Sequence, residues 1–277
     1  MIVKELFYKV TDLLQKKFDH TESYRLASIL LEDLYSITQP LSAKEVKDIT
    51  KMEAAVKELL EDKPIQYVTG RADFYGYQFF VNHHVLIPRP ETEELVRWIL
   101  EDLKGDRQLK DVLDIGLGSG CISLSLVKQH KSLRVTGAEV SMDAMNVARI
   151  NSRRLDAPIS FALMDISDRD YWDALGRYDI IVSNPPYIKD EDRAFMSDRV
   201  LSYEPELALF PGEDPLKYYH VIHEFAIDRL NSSGKIYLEI HEDLAEEVKE
   251  IFSSNFDHIE LRRDLQGKDR MIRISRA

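Results

Sequence analysis

From Asp111 onward, short apolar runs alternate with amphipathic stretches, and this alternation restricts the chain more than any other feature. Residues 112–115, 134–140, 159–164, 178–183 and 235–240 read as strands rich in β-branched side chains. Helical periodicity fills the gaps at 121–129, after Ser141, which is expected to cap a helix through Met145, Ala148 and Ile150, at 216–230 and at 243–252, with a turn expected at Asn231-Ser232-Ser233-Gly234. Strands separated by helices pair in parallel, with helices on both faces of the sheet. Two closing strands, 258–262 and 270–275, follow without an intervening helix and imply an antiparallel edge. The expected class is α/β, with a mostly parallel seven-stranded sheet.

The chain ahead of this region has another character. Leu6, Val10, Leu13 and Leu14, then Leu26, Ile29, Leu30 and Leu34, recur at three- and four-residue steps, so residues 4–62 are expected to be helical throughout. Thr21 or Ser23 is expected to cap the second helix, and Ser42, with Glu45 three positions on, a third. Pro64 ends the pattern, and residues 65–85, dense in Tyr, Phe and Val with Gly70 and Gly76, read as β-hairpin material. The resulting organisation is a helical bundle over 1–62, a hairpin linker over 63–85 and a sheet domain over 86–277. A formal charge of -12 argues against broad binding to a phosphate backbone, so direct nucleic-acid binding is not expected. The single cysteine, Cys121, excludes an internal disulfide and fits a reducing compartment. No apolar run is long enough to span a bilayer, and the first residues lack the pattern of a signal peptide. A cytoplasmic protein without a membrane partner is expected.

Ligands of open α/β sheets bind at the carboxyl ends of the strands, and four of these ends carry polar or glycine residues. The first is followed by Asp114-Ile115-Gly116-Leu117-Gly118-Ser119-Gly120, a glycine-rich turn that lets a ligand approach the backbone. The spacing is G-x-G-x-G, and a nicotinamide dehydrogenase competes for such a loop on its own. Glu139, about twenty residues on, is placed to accept the ribose hydroxyls of an adenosine. Asp165 ends the third strand, within reach of an adenine edge or solvated in its turn. The fourth strand breaks at Asn184-Pro185-Pro186-Tyr187, where a carboxamide beside an aromatic ring can orient a planar amide or amine. Upstream, Pro88-Arg89-Pro90-Glu91 leads into a helix over 91–103, and Arg89 and Glu91 either stiffen that approach or line a pocket mouth. Cys121 begins a helix, where its thiol has either a lowered pKa or the role of a small residue packed behind the loop. His83 and His84, adjacent in an expected strand, point to opposite faces, and His220 and His223 have no Cys or carboxylate framework. No metal is predicted.

Glycine-rich loop, strand-end acid and Asn-Pro-Pro-Tyr turn together resemble class I S-adenosylmethionine-dependent methyltransferases, with a Rossmann-like fold. Pro64-Ile65-Gln66-Tyr67-Val68-Thr69-Gly70, Phe74-Tyr75-Gly76, Val85-Leu86-Ile87-Pro88-Arg89-Pro90-Glu91-Thr92-Glu93, Tyr203-Glu204-Pro205 and Asp264-Leu265-Gln266-Gly267-Lys268-Asp269-Arg270 narrow the match. With them the chain is similar to the HemK/PrmC family of protein-(glutamine-N5) methyltransferases acting on peptide chain release factors. The resemblance implies S-adenosyl-L-methionine as donor and S-adenosyl-L-homocysteine as product. The acceptor it implies is the glutamine of the release factors' Gly-Gly-Gln loop, with the helical region docking that substrate. It assigns the cofactor to Gly116, Leu117, Gly118, Ser119, Gly120, Glu139, Asp165 and Ile166. Asn184 would meet cofactor and substrate, and Pro185, Pro186 and Tyr187 would line the glutamine pocket, with Arg89 and Glu91 on the substrate side. Leu117 stands where the family usually has threonine, Glu139 where it usually has aspartate, Pro215 in place of a glycine, and His241 closes a Glu-Ile-Gly position. The rival readings are an amine methyltransferase acting on adenine or guanine in nucleic acid and a non-catalytic module that keeps the nucleotide-type fold.

Overall fold

Helical periodicity at the N-terminus becomes three packed helices in the computed structural model, which describes residues 1–276. They are α1 (Val3–Leu14), α2 (His20–Tyr35) and α3 (Thr50–Leu60), with a short α4 (Ile65–Thr69) following. Leu6, Phe7, Val10 and Leu14 of α1 meet Leu26, Ala27, Leu30 and Leu31 of α2 and Met52, Val56 and Leu59 of α3 in one dry cluster. Each such side chain contributes roughly 1.5–3 kcal/mol on burial. The caps differ from expectation. Asp19 receives the Glu22 N–H at 2.8 Å and starts α2, which leaves Thr21 and Ser23 inside the helix. Ser42 and Glu45 start no helix, because Val46 is buried and the backbone there pairs with the first residues, through Val46 N–H to Met1 O and Val3 N–H to Lys44 O. The third helix begins later, where the Asp48 carboxylate holds the Thr50 N–H and hydroxyl at 2.9 and 2.6 Å.

Residues 65–69, expected as strand, form the turn of α4 because Ile65 and Val68 pack on the helical cluster, and Gly70 closes it at φ 67°. The hairpin that follows is shorter: β1 (Arg71–Phe74) and β2 (Tyr77–Phe80) flank Tyr75 and Gly76, both at positive φ, as a two-residue hairpin turn requires. The chain divides into a helical unit, Met1–Arg71 with Asp198–Tyr203, and a sheet unit comprising Ala72–Ser197 and the chain from Glu204 onward. The division thus falls inside the segment 63–85 read as a linker, and the hairpin goes with the sheet.

The sheet unit continues through α5 (Pro90–Asp102), β3 (Lys110–Ile115), α6 (Cys121–Gln129), β4 (Leu133–Glu139), α7 (Met142–Leu155), β5 (Ser160–Leu163) and β6 (Tyr178–Ser183). Two short helices, α8 (Asp198–Tyr203) and α9 (Glu206–Leu209), precede α10 (Lys217–Arg229), β7 (Leu230–Glu239), α11 (Ala245–Ser253), β8 (His258–Arg263) and β9 (Asp269–Ser275). Of these, α8 belongs to the helical unit, where the Tyr203 hydroxyl donates to Glu61 O at 2.5 Å. The strand order is β5-β4-β3-β6-β7-β9-β8, parallel through β7 and antiparallel at β9 and β8. Asn231-Ser232-Ser233-Gly234 is no free turn but an irregularity within β7, since Tyr178 pairs with Leu230 and Ile180 with Lys235. Leu113, Ile115, Ile181, Ile236 and Leu238 pack against Tyr219, Ile222 and Phe225 of α10 and Phe252 of α11. On the other side, Trp98 of α5 meets Tyr237 edge-on at 6.0 Å. No helix among the described residues is long and apolar enough to cross a membrane.

Asn151 of α7, fully buried, ties the hairpin to the glycine-rich loop. Its Oδ1 accepts from Phe80 N–H at 2.7 Å, while Nδ2 donates to Phe80 O and Ser119 O, each at 2.9 Å. Asn151→Leu strands these backbone groups in the interior, each costing about 1–3 kcal/mol. Chemical denaturation is expected to show the variant less stable by at least about 2 kcal/mol, and an unchanged midpoint would disprove the tie.

Candidate active site

Strand register brings the polar positions into one row. Ile115 at the end of β3 pairs with Ala138 of β4 and with Ser183 of β6, and Ser183 pairs with Leu238 of β7. One residue further on, Gly116, Glu139, Asn184 and Glu239 therefore stand abreast at the carboxyl edge, on strands about 4.8 Å apart. Glu139 also pairs with Leu163, so Asp165 follows two residues beyond this row. A cavity opens at this edge, lined by Gly116 to Ser119, Glu139, Asp165, Ile166, Asn184, Pro185 and Pro186. Arg89 also lines it; Glu91, Gly120 and Tyr187 do not.

The loop keeps its shape through main-chain bonds. Gly116, Gly118 and Gly120 all have positive φ, and Gly116 and Leu117 N–H both donate to Ala138 O at 3.0 Å. A Cβ at Gly116 would meet no protein atom within 4 Å, so that backbone is open to a ligand. Glu139 is buried, with Gly118 N–H on Oε2 at 2.8 Å and Ser141 N–H on Oε1 at 2.9 Å. Each carboxylate oxygen keeps a lone pair for a further donor. Asp114 is buried too, with the Ser123 hydroxyl on Oδ2 at 2.6 Å and Oδ1 unpartnered, and burial pushes its carboxyl up to about 7. Asp165 is exposed and receives the Ser167 N–H at 2.8 Å, while Ile166 is buried beside it. A set with an open glycine backbone, a carboxylate with free lone pairs and an apolar neighbour fits a nucleoside with an amino-acid tail.

Asn184 Nδ2 donates to the Thr92 hydroxyl at 3.1 Å, Thr92 donates to Glu239 Oε2 at 2.6 Å, and the Tyr187 hydroxyl donates to Glu239 Oε1 at 3.1 Å. No donor among the described residues reaches Asn184 Oδ1. Burial pushes the Tyr187 phenol up, and the Glu239 carboxyl as well. From the sequence Thr92 suits the first turn of the helix after Pro90 and Glu239 belongs to Glu239-Ile240-His241, and neither pattern points to a site role, because the contact between them joins residues far apart in the chain. Tyr218 of α10 also lines the cavity and went unnoticed. Arg89 is held by Glu204, through Nη2 to Oε1 at 2.6 Å, and Glu204 takes the Ile87 N–H on its other oxygen. Glu91 receives a bond from Gln266 at 3.2 Å.

Leu117, at the family's usual threonine, is buried against β4 and points at Gly137. His241 packs edge-on against the Tyr187 ring at 5.9 Å. Burial pushes the Cys121 thiol up to about 12, which opposes the helix-start effect. His83 and His84 lie in a turn rather than a strand, since β2 stops at Phe80, and their rings sit 3.9 Å apart. Among the described residues no group of three or more His, Cys, Asp or Glu side chains is arranged to hold a metal ion.

A family model described as "Methyltransferase small domain" matches residues 92–203. The chain is 36% identical to a release factor glutamine methyltransferase of Flavobacterium psychrophilum over 99% of both chains. It is 40% identical to one of Bacteroides thetaiotaomicron, covering 82% of this chain and 81% of the relative. Among solved structures, the hMettl16 catalytic domain in complex with the MAT2A 3'UTR hairpin 6 superposes with a TM-score of 0.57 at 17% identity. The match covers 73% of this chain and 76% of that one, a likeness of fold.

An added Cβ at Gly137 would lie 2.6 Å from Leu117 Cδ1 and 2.7 Å from Cδ2. Gly137→Ala is expected to cost about 1–3 kcal/mol by overpacking. Adding Leu117→Ala should relieve it, so that thermal unfolding shows the double variant losing less than the sum of the single losses. Strict additivity would show that the two sites do not press on each other.

Proposed function

This chain belongs to the release factor glutamine methyltransferase family, and from that premise we propose how it works. It transfers a methyl group from S-adenosyl-L-methionine to the side-chain amide nitrogen of the glutamine in the Gly-Gly-Gln loop of peptide chain release factors. When bound, the donor supplies an electrophilic methyl group on a sulfonium. The row of Gly116, Glu139 and Asn184, three strand ends aligned by register at one cavity, is the observation that supports this reading.

An amide nitrogen is a weak nucleophile because its lone pair is delocalised into the carbonyl. Its two N–H groups need two acceptors, and the Asn184 side-chain oxygen and the Pro185 carbonyl supply them. Held in this way, the nitrogen is aimed rather than deprotonated before transfer: its new bond to the methyl carbon replaces that carbon's bond to sulfur, and it sheds one N–H proton afterwards. Ideal orientation is worth roughly 7–11 kcal/mol of barrier. Glu139 would accept the ribose hydroxyls with the lone pairs left by Gly118 and Ser141 N–H. The open backbone of the glycine loop would receive the methionine end, and Asp165 and Ile166, which line the same cavity, would hold the adenine. Glu204 holds Arg89 and the Ile87 backbone, fixing the wall of the cavity that carries Arg89.

Mass spectrometry of a release factor incubated with protein and donor is expected to show one methyl on the glutamine. Asn184→Ala should lower kcat at least about 100-fold, with donor affinity by calorimetry within about threefold; near-normal turnover would sink the assignment. For Glu139→Ala the donor dissociation constant is expected to rise about tenfold or more, and unchanged affinity would contradict the ribose role.

A further inference from the structure

A carboxamide has two faces, and rotation by half a turn exchanges its acceptor for its donor. The substrate amide nitrogen presents N–H groups, so Asn184 serves it only with Oδ1 turned outward. We propose that Thr92 and Glu239 are positioning residues whose one-way hydrogen-bond relay locks the Asn184 carboxamide with its oxygen toward the substrate amide. The relay rests on the methyl-transfer reading above and assigns roles to two residues outside the Asn-Pro-Pro-Tyr turn.

The geometry sets the direction. Thr92 has a single hydroxyl proton, which goes to Glu239 Oε2 at 2.6 Å, so its oxygen is left to accept, and it does so from Asn184 Nδ2 at 3.1 Å. A turned Asn184 would set Oδ1 against that oxygen with no proton between them, in a place where Thr92 and Glu239 are each only 2% exposed. Glu239 Oε1 accepts the Tyr187 hydroxyl at 3.1 Å, so the carboxylate holds both ends of the turn as acceptor. A neutral amide at 239 would accept on one atom and donate on the other, leaving the direction open. Only an ionised carboxylate accepts on both. Register supports the assignment, because Ser183 pairs with Leu238 and so sets Glu239 beside Asn184 in the row of strand ends.

A lock of this kind depends on the charge of Glu239. Around that carboxyl stand Glu91 of α5, Cys121 of α6, Tyr187, Tyr219 of α10, His241 and Arg270 of β9. Arg270 donates through Nε to Asp264 and Nη1 to Ile240 O, each at 3.3 Å, and its charge also faces Glu239 and Tyr187, favouring the ionised carboxylate against the larger effect of burial. Burial raises the carboxyl above its ordinary range, so protonation sets in at a higher pH than for a solvated glutamate. As pH falls through that value Glu239 gains a proton and becomes a donor. Thr92 can then accept from it and turn its own proton to Asn184 Oδ1, which releases the lock.

The test uses the full chain with a purified release factor as substrate. Thr92→Val is expected to lower kcat at least tenfold while the donor dissociation constant stays within about twofold. Thr92→Ser, which keeps the hydroxyl, should retain kcat within about threefold. Wild-type kcat should fall on the acid side with a single-proton limb that is absent in Glu239→Gln, itself about tenfold slower at neutral pH. The Asn184 side-chain NH2 resonance, followed with 15N-asparagine labelling in the protein alone, should move with pH in the wild type and not in Glu239→Gln. Wild-type kcat in both Thr92→Val and Glu239→Gln, or an NH2 resonance that moves identically in wild type and Glu239→Gln, would overturn the relay. A wild-type protein that leaves the release factor unmethylated refutes the assigned reaction instead, and the NMR titration then decides the relay by itself.

Discussion

The ladder that holds β3 between β4 and β6 is the constraint on which the rest of the structure hangs. Both neighbours are parallel to β3 and their connections leave in opposite directions along the sheet, so the chain order reverses there and opens a crevice at the carboxyl edge. The ladder also fixes register. Ile115, Ala138, Ser183 and Leu238 lie in one row, and the residues that follow them fall together without any loop having to bring them there. The Ser183 hydroxyl, donating to Ile115 O at 2.7 Å, ties two of these strands at the point where both open into the cavity.

Three buried carboxylates sit at this edge and meet the cost of burial differently. Glu139 accepts two backbone N–H groups and shapes the loop and the start of α7. Glu239 accepts two hydroxyls and ties α5 to the turn after β6. Asp114 has only Ser123 on one oxygen, and its carboxyl is pushed up to about 7 as a consequence. Burial pushes the Glu239 carboxyl up as well, against its two hydroxyl donors, so its role as acceptor on both oxygens lasts only while it stays ionised.

Much of this was legible because its signals are local. The glycine loop, Glu139 and the Asn184 turn each follow an apolar run that ends abruptly, and the end of a buried strand can be read from a few residues. Ser141 as a cap was legible in the same way, with Ala144 N–H on its hydroxyl at 3.2 Å. Ser42 and Glu45 show the opposite case: they satisfy a capping pattern, yet their segment is claimed by backbone pairing with residues more than forty positions away. Residues 65–69 lost their strand character to packing on the helical cluster, a tertiary effect that overrides β-propensity.

Sequence alone therefore determined the class of fold, the order of the seven sheet strands and the strand ends that carry polar residues, because hydrophobic periodicity and chain breaks are properties of neighbours along the chain. The tertiary structure decided what those residues do. Register, which depends on pairing between strands tens of residues apart, placed Glu239 beside Asn184, and packing of α5 brought Thr92 between them. Burial then gave those contacts their direction, since a hydroxyl with one proton and a carboxylate without any can be satisfied inside a dry edge in only one way.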